Sequence, residues 1–226
     1  MPIKYYNNSM AILSDNQEYL GLMGSNSIDL ILTDPPYKDY QSNRPVVNPK
    51  QKKILSCNFD LPFFVKESFR LLKPSCHFYC FCDHKTFPII RNEIEKYFNY
   101  INCIVWVKNN HGSGDLAGDY APQHEFIIYA SKGKRKPLNP PRIPNVLYAN
   151  KVNNMKFGHG TVKPVELLKK FIQQSSNKGD LVLDPYAGTF STAVACIELE
   201  RDFIVIEKEV EWYNIGCDRI TSFKTI

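Results

Sequence analysis

Apolar and polar residues alternate along the chain with two different periods. Continuous apolar runs of strand length lie near residues 27–34, 76–82, 101–107, 124–130, 181–184 and 203–206. Amphipathic stretches with helical spacing separate them, near residues 60–73, 86–98, 164–176, 191–200 and 209–221. Asp60 followed by Pro62, and Pro164 followed by Glu166, are typical of helix starts. The pattern therefore predicts strands and helices in alternation.

This alternation predicts an α/β fold in which a mostly parallel central sheet is covered by helices on both faces. A chain of 226 residues suits one domain, and it shows neither an internal repeat nor a linker-like segment. Its least regular parts are residues 38–58 and 131–160. Ligands of such sheets bind beyond the carboxyl ends of the strands, which is where Asp34 and Asp184 are expected.

Composition indicates a globular protein, because 43% of the residues are apolar and 13% are aromatic. No apolar run approaches the roughly 20 residues that a membrane span needs, and the opening "MPIKYYNNSMAIL" does not resemble a secretory signal. The seven cysteines are an odd number, which favours reduced thiols over a disulfide framework. We therefore expect a cytoplasmic protein without a membrane segment.

The charge balance permits a polyanionic partner but does not require one. Lys and Arg together number 28 and Asp and Glu 23, which gives a formal charge of +5. Basic residues concentrate in "SKGKRKPLNPPR" at 131–142 and in "PKQKK" at 49–53. Each cluster is either a solvated loop or a segment that contacts phosphates.

The stretch "CHFYCFCDH" at residues 76–84 has the residue types of a zinc site but the spacing of a strand. Cys76, Phe78, Cys80 and Cys82 fall on one side of a period-2 pattern. Zinc ligands usually come as pairs on tight turns with a second pair elsewhere, and no second pair exists here. Because a small apolar thiol suits a buried strand, we predict a core strand and no metal.

The stretch "TDPPY" at residues 33–37 follows a predicted strand and cannot extend it. Proline lacks a backbone N–H and restricts the residue before it. Asp34, the Pro35 carbonyl and the Tyr37 ring are therefore available to face one small ligand. On these letters alone the segment is either a strand cap with a turn or such a site.

The stretch "LVLDPYAGTFSTAVAC" at residues 181–196 predicts a strand, a short loop with one glycine and a helix rich in small residues. On these letters alone the loop is either a tight turn or a site for a nucleoside-bearing ligand, which would use the close backbone approach and the N–H groups of the helix start. Glu207 ends a second strand about 20 residues later, where an acid hydrogen-bonds ribose hydroxyls. Phe190 stands where a second glycine is expected, so the loop lacks the nicotinamide dehydrogenase pattern.

Four stretches in order resemble the bacterial and phage DNA amino-methyltransferases of the β group, in which a D-P-P-Y motif precedes the cofactor loop. The resemblance covers nearly the whole chain, and its four stretches are "SIDLILTDPPY", "WVKNNHGSGDLAGDYAPQHEFIIYASKGK", "HGTVKPVELLKKFIQQSSNKGDLVLDPYAGTFSTA" and "ERDFIVIEKEVEWYNIGCDRI". It implies a Rossmann-like S-adenosylmethionine-dependent methyltransferase fold spanning residues 1–226. Within it, we expect a catalytic motif at 33–37, a variable DNA-recognition region at about 131–160 and a cofactor-binding part at about 159–210.

The resemblance also implies site residues, position by position. The catalytic motif corresponds to Asp34, Pro35, Pro36 and Tyr37. The residues implied in cofactor binding are Asp34, Thr161, Lys163, Asp184, Tyr186, Ala187, Gly188, Thr189, Phe190 and Glu207, with Thr161 and Lys163 near the methionine end. Two positions depart from the family: Gly160 replaces a usual proline, and Phe190 replaces a frequent glycine. Phe190 could crowd the cofactor, but we interpret it as a tolerated change.

The chemistry of amine methylation explains the catalytic motif. The lone pair of an exocyclic amine on a nucleobase is delocalised into the ring, so the amine is a poor nucleophile. The Asp34 carboxylate and the Pro35 carbonyl are predicted to accept its two hydrogens and localise the lone pair. Alignment with the sulfonium methyl then completes the reaction without a metal or a covalent intermediate. The base must be flipped out of duplex DNA, and Tyr37 is placed to stack on it.

Two segments are predicted to contact DNA. The loop at 38–58 contains Tyr40 and Arg44 and is expected to close over the flipped nucleotide. Phosphate contacts are expected from the basic cluster at 132–136, which comprises Lys132, Lys134, Arg135 and Lys136.

Adenine N6 is the favoured target, because in the family an aspartate in the first motif position favours adenine and a serine favours cytosine. Methylation of cytosine N4 remains an alternative, as does a DNA-binding relative with lost or partner-dependent catalysis. Cytosine-C5 chemistry is disfavoured, because it needs a Pro-Cys nucleophile and the chain has no Pro-Cys pair. A glutamine or RNA-guanine methyltransferase is disfavoured by the motif order and by its usual N-P-P-Y. A second copy of the chain and a cognate restriction endonuclease are possible partners.

Overall fold

The computed structural model describes residues 1–36, 59–112, 117–152 and 162–223. The strands of this part are β1 (Ile3–Tyr6), β2 (Ser9–Leu13), β3 (Ile28–Thr33), β4 (Leu72–Cys82), β5 (Asn99–Val107), β6 (His124–Ser131), β7 (Val146–Tyr148), β8 (Leu181–Asp184) and β9 (Asp202–Glu207). The helices are α1 (Asn16–Leu20), α2 (Leu61–Leu71), α3 (Phe87–Ile94), α4 (Val165–Ser175), α5 (Ser191–Glu198) and α6 (Val210–Phe223).

The strands form a sheet in the order β1-β2-β9-β8-β3-β4-β6-β5-β7. The five strands from β2 to β4 in this order are parallel, while β6 runs antiparallel between β4 and β5. The predicted Rossmann-like α/β fold is confirmed. Because β5 and β7 run in the same direction as β4, their ends meet those of β2, β9, β8 and β3 at one edge, here called the carboxyl edge. The opposite edge is called the amino edge.

Hydrophobic side chains cover both faces of this sheet. One cluster lies beneath α4, α5 and α6 and includes Phe171 and Cys217. The other lies beneath α1, α2 and α3 and includes Phe64 and Ile94. Burial of apolar area on both faces, at about 25 cal/mol per Å², holds the strand ends of the carboxyl edge in fixed positions.

Strand β4 confirms the interpretation of "CHFYCFCDH" as core. Phe78 and Cys80 are buried in the cluster beneath α1 to α3, whereas Tyr79 and Phe81 are buried in the cluster on the opposite face. Among the residues that the structure describes, no group of three or more His, Cys, Asp or Glu side chains is arranged to hold a metal ion. None of the helices in those residues is long and apolar enough to cross a membrane.

The structure adds elements that the apolar pattern did not predict. Strands β1 and β2 form a hairpin in which Tyr6 pairs with Ser9. Its two-residue turn begins at Asn7 with φ of 57°, a left-handed conformation that asparagine tolerates. Strand β7 lies inside the region expected to be irregular. These elements are short, so their periodic signal is weak.

Candidate active site

Three acids meet at the carboxyl edge on adjacent strands. Asp34 directly follows β3, Asp184 ends β8 and Glu207 ends β9, in the lateral order β9-β8-β3. Neighbouring strands lie about 4.8 Å apart, so the predicted catalytic motif and the predicted cofactor loop share one site. Pro35 is buried and Pro36 is half-buried beside Asp34. Tyr37, Tyr40, Arg44 and Thr161 lie outside the described residues.

Asp184 holds the predicted cofactor loop to its neighbours. Its Oδ1 accepts hydrogen bonds from Thr33 Oγ1 at 2.9 Å and from the Tyr186 backbone N–H at 3.1 Å. Its Oδ2 accepts one from Thr192 Oγ1 at 2.6 Å. Burial raises the pKa of Asp184 to about 6. Because both oxygens are engaged by β3, the loop and α5, we interpret Asp184 as a residue that shapes the loop.

Glu207 is tied to the same loop from the neighbouring strand. Its Oε2 accepts from the Gly188 backbone N–H at 2.9 Å, and its Oε1 accepts from that of Glu209 at 2.8 Å. Burial raises its pKa to about 7, against the opposing effect of these N–H donors. Gly188 has φ of 52°, a conformation that glycine adopts without strain. Since a carboxylate has about four lone-pair sites, Glu207 can still accept from hydroxyl groups.

Phe190 does not crowd the loop. Its ring is fully buried and lies edge-on to Tyr213 of α6, with 5.8 Å between ring centroids. Gly216 of α6 faces it so closely that an added Cβ would lie 2.3 Å from the Phe190 ring. The side chain therefore belongs to the core between the loop and α6. We had included Phe190 among the residues that contact the cofactor. The structure corrects this for the side chain, which packs in the core.

Three loop residues that sequence reasoning assigned to the cofactor also have structural contacts. Ala187 is buried, and its N–H donates to the Ile206 carbonyl at 3.0 Å. Tyr186 packs edge-on against Phe64 of α2, with ring centroids 5.4 Å apart. Thr189 is buried and accepts from the Arg219 guanidinium at 2.8 Å.

Arg219 is a loop-supporting residue that sequence reasoning missed. It reaches from α6 and also donates to the Thr189 carbonyl and to Ser191 Oγ, the latter at 3.2 Å. Burial lowers its pKa to about 10, so it remains charged at neutral pH. Its distance from the loop along the chain left no local signal in the sequence.

A third strand end also reaches the loop. The Ser14 backbone N–H, just after β2, donates to the Glu207 carbonyl at 3.0 Å. Asn16 Nδ2, at the start of α1, donates to the Pro185 carbonyl at 3.3 Å. Asp15 caps this helix by accepting from the Gln17 N–H. Sequence reasoning missed these residues because β2 was not predicted.

Lys163 lies against the predicted catalytic motif. Its ammonium donates to Asp34 Oδ2 and lies 3.2 Å from Glu125 Oε2. The other Glu125 oxygen lies 2.7 Å from Lys108 Nζ. Burial alone would lower the pKa of Lys163, but the carboxylates of Asp34 and Glu125 outweigh it and hold that pKa above its usual range. Burial likewise opposes ionisation of Glu125, but Lys163 and Lys108 keep its pKa low.

Glu125 and Lys108 were not predicted as site residues. Glu125 is the second residue of β6, and Lys108 directly follows β5. Both strands were recognised as apolar runs, but their antiparallel pairing places these two ends next to each other at the carboxyl edge, with β6 beside β4. That pairing cannot be deduced from the periodicity of either strand alone.

The basic cluster at 132–136 lies at the amino edge. Strand β6 runs antiparallel to β4, so Phe126 pairs with Cys82 near the site, while Ser131 pairs with His77 at the far end. Lys132 Nζ donates to the Phe69 carbonyl at 2.6 Å and to that of Leu72 at 2.8 Å. It thereby caps the carboxyl end of α2.

This placement removes the support for the predicted phosphate contacts of Lys132, Lys134, Arg135 and Lys136. Strand β6 has eight residues, which corresponds to a length of about 25 Å at roughly 3.3 Å per residue. DNA whose base enters at Asp34 would have to extend along this length to reach them. The sequence alone did not assign the cluster to either edge, because strand direction was unknown.

Comparison with known proteins agrees with this geometry. A family model described as DNA methylase, of the N6/N4 methyltransferase type, matches residues 28–217. The chain belongs to this DNA methylase family. The resemblance found from the ordered motifs is thereby confirmed.

This methylase is 31% identical to Type II methyltransferase M.HpaI of Haemophilus parainfluenzae, over 93% of its own length and 74% of that protein. It is 28% identical to DNA adenine methyltransferase YhdJ of Escherichia coli K12, over 97% and 85% of the two chains. Its structure matches the crystal structure of the M1.HpyAVI-SAM complex with a TM-score of 0.72 and 28% identity, over 93% and 98% of the chains. The cytosine-N4-specific PvuII DNA methyltransferase, at 18% identity and a TM-score of 0.71, shares the fold.

Proposed function

We propose that this methylase transfers a methyl group to the N6 amino group of adenine in DNA. The observation that carries the proposal is the position of Asp34 and Pro35 beyond β3, two strands from Glu207 on the same edge of the sheet. An aspartate in the first motif position favours adenine. The named activity of YhdJ, a DNA adenine methyltransferase of similar sequence, agrees with this choice.

The methyl donor is S-adenosyl-L-methionine. Glu207, at the end of β9, would accept hydrogen bonds from the ribose hydroxyls, and the loop at 185–189 would hold the nucleoside. Asp15 and Asn16 follow β2, which flanks β9 on the side away from β3, so they would contact the adenine ring of the cofactor. Asp34, on the other side, would receive the sulfonium methyl.

The chain supplies acceptors and alignment for the transfer. The Asp34 carboxylate and the Pro35 carbonyl accept the two amino hydrogens of the target adenine, so the nitrogen lone pair turns toward the sulfonium methyl. The nitrogen–carbon bond forms as the sulfur–carbon bond breaks. The extra proton of the methylated amine passes to Asp34 and then to water. Holding the two reactants in line contributes several kcal/mol to catalysis.

The target adenine leaves the duplex to reach Asp34. DNA then contacts the carboxyl edge, where exposed basic and amide side chains follow β4, β5 and β7. The described members of this surface, called the DNA face below, are His84, Lys85, Asn109, His111, Asn150 and Lys151. Positive groups here lie closer to the flipped nucleotide than the cluster at the amino edge does, and they meet its phosphates.

Charge reversal is expected to separate these two surfaces. Lys85→Glu combined with Lys151→Glu should weaken DNA binding about tenfold or more at moderate salt and reduce the slope of log affinity against log salt by about 2. The matched control, Lys134→Glu with Arg135→Glu at the amino edge, should leave both quantities near wild type. Fluorescence anisotropy across a salt series measures them. If the control variant lost more DNA affinity than Lys85→Glu with Lys151→Glu, the proposed DNA face would be wrong.

Protonation of Glu207 is expected to weaken cofactor binding. Its pKa is raised to about 7 in the folded protein, and the protonated form is a weaker acceptor for the ribose hydroxyls. Affinity for S-adenosyl-L-methionine should therefore be full above pH 8 and fall about tenfold by pH 6. Calorimetry across this range measures the effect.

Glu207→Gln is the control for that experiment. It should bind the cofactor more weakly at every pH and lose most of the pH dependence, since the amide does not titrate there. A wild-type profile that Glu207→Gln reproduces in shape would assign the titration to another group.

Methyl transfer tests the proposed function directly. The protein is incubated with tritiated S-adenosyl-L-methionine and, in separate reactions, duplex DNA lacking methylated bases, its single strands, and RNA. Label in duplex DNA is the expected result. Label confined to RNA would overturn the proposal, as would cofactor binding without transfer to any of these substrates.

A further inference from the structure

Four alternating charges run outward from the reaction site. Asp34, Lys163, Glu125 and Lys108 follow one another through the contacts between Lys163 and both acids and between Glu125 and Lys108. Their side chains are 21%, 9%, 18% and 16% exposed, respectively. Only Asp34 takes part in the proposed methyl transfer. The remaining three, Lys163, Glu125 and Lys108, have no role in the proposed transfer.

Lys163 faces two acids with unequal geometry. Its ammonium makes a hydrogen bond to Asp34 Oδ2, whereas Glu125 Oε2 lies 3.2 Å away as an ion-pair partner. Among the described residues, Glu125 Oε2 has no hydrogen-bond donor, although it is buried. A buried acceptor without a donor is costly. Glu125 is therefore a second acceptor next to the same ammonium.

We infer that Glu125 is a positioning residue that draws the ammonium of Lys163 partly away from Asp34, so that Asp34 keeps its strength as an acceptor for the target amino group. The inference rests on the proposed function and adds a residue to it. An ammonium has three N–H donors, so Lys163 can bond to Glu125 when the amino group of the base engages Asp34. Lys108 fixes Glu125 from its other side.

The physical reason is the balance of charge on Asp34. Lys163 holds the carboxylate ionised and in place, but an uncompensated ammonium would also withdraw its electron density and compete with the amino hydrogens. Glu125 offsets that field across a short distance and in a site where charges are poorly screened. Other groups near Asp34 are Asp184 on β8 and the thiols of Cys80 and Cys82 on β4. Burial raises the pKa of both thiols well above neutral, so they carry no charge.

A double-mutant cycle tests the inference. The variants are Glu125→Gln, Lys163→Met and the combination, assayed as single-turnover methyl transfer to DNA at saturating cofactor. Glu125→Gln should lower the rate on the order of 10²-fold, as small displacements in an aligned site do, with cofactor affinity unchanged. Because Glu125 acts through Lys163, adding Glu125→Gln to Lys163→Met should cause no further loss. The added change should restore some activity, since it removes a largely buried carboxylate that has lost one of its two cationic partners.

The pH dependence provides a second readout that a merely structural role would not change. Removing Lys163 raises the proton affinity of Asp34, so the ratio of rates at pH 6 and pH 8 should fall in Lys163→Met. In Glu125→Gln that ratio should stay at or above the wild-type value. Glu125→Asp keeps the charge and should recover part of the rate. Glu166→Gln, an exposed acid of α4 paired with Lys169, is the matched control and should behave as wild type.

The outcomes separate the inference from the proposed function. Wild-type protein that transfers no methyl group to DNA overturns the proposed function, and the inference with it. If the wild-type protein is active and the rate losses of the two single variants multiply in the double variant, the inference alone is overturned. The inference alone is also overturned if Glu125→Gln and Lys163→Met shift the pH ratio in the same downward direction.

Discussion

Asp34→Asn is expected to lower the rate of methyl transfer about 10³-fold, within the range that a positioned acid or base contributes. The amide lacks the negative charge that localises the amine lone pair, and its NH₂ end cannot accept a hydrogen from the base. It also leaves Lys163 without the carboxylate that it bonds. Cofactor binding should remain measurable by calorimetry, because Glu207 and the loop at 185–189 are unchanged. Single-turnover assays on DNA measure the loss.

Asp29→Asn is the matched control. Asp29 lies on the same strand, at the amino edge, and pairs with Lys73 at 2.7 Å. It also accepts the Leu181 N–H at 3.0 Å. The change is chemically identical to Asp34→Asn but lies at the other end of β3, so activity should stay near wild type. Equal losses in the two variants would mean that a general structural effect, not the catalytic role of Asp34, explains the result.

Gly216→Ala is expected to destabilise the protein by about 3 kcal/mol, the upper end of what overpacking a core usually costs. In most helices this replacement is favourable by about 1 kcal/mol. Here the new Cβ would lie 2.3 Å from the Phe190 ring, closer than atoms can approach. That ring is fully buried against α6, so it cannot move aside without disturbing the loop. Urea unfolding measures the loss.

Phe190→Ala provides the test of this cause. It costs stability through the cavity that it leaves, but it removes the ring atoms that the new Cβ at position 216 would overlap. In that background Gly216→Ala should cost nothing or stabilise. Gly21→Ala, at a position with φ of −62° and open space around it, should be neutral or slightly stabilising in either background. Additive losses at 190 and 216 would contradict the packing described for α6.

The sequence predicted those site residues that lie at the end of a single strand better than those that depend on contacts between strands. "TDPPY" and "LVLD" each state that an acid follows an apolar strand, and parallel strands place such ends at one edge. Glu207 was predicted in the same way, from its place at the end of an apolar strand and its spacing from the loop. These relations are local, so the motif and the loop were found without knowledge of tertiary contacts.

Residues that act across strands were beyond this reasoning. Glu125 joins Lys163 and Lys108 only because β6 runs antiparallel between β4 and β5. The same reversal carries Lys132 to the amino edge, where it caps α2. The charge of a basic cluster can be read from the sequence, but its place in the fold depends on the direction of the strand before it.

The apolar pattern also hides how a substitution is accommodated. Phe190 in a cofactor loop suggested crowding, because the loop's glycine usually faces the ligand. Its compensation, Gly216, lies in α6 and provides the space for the ring. Neither residue alone reveals the pairing, since it depends on how α6 packs against the loop.

The identity of the methylated atom tests the central claim most directly. The protein is incubated with S-adenosyl-L-methionine and DNA free of methylated bases, the DNA is digested to nucleosides, and the products are identified by chromatography and mass spectrometry. We predict N6-methyladenine, absent from a parallel reaction with Asp34→Asn. N4-methylcytosine in its place would contradict adenine as the target, and no methylated nucleoside would contradict the proposed function itself.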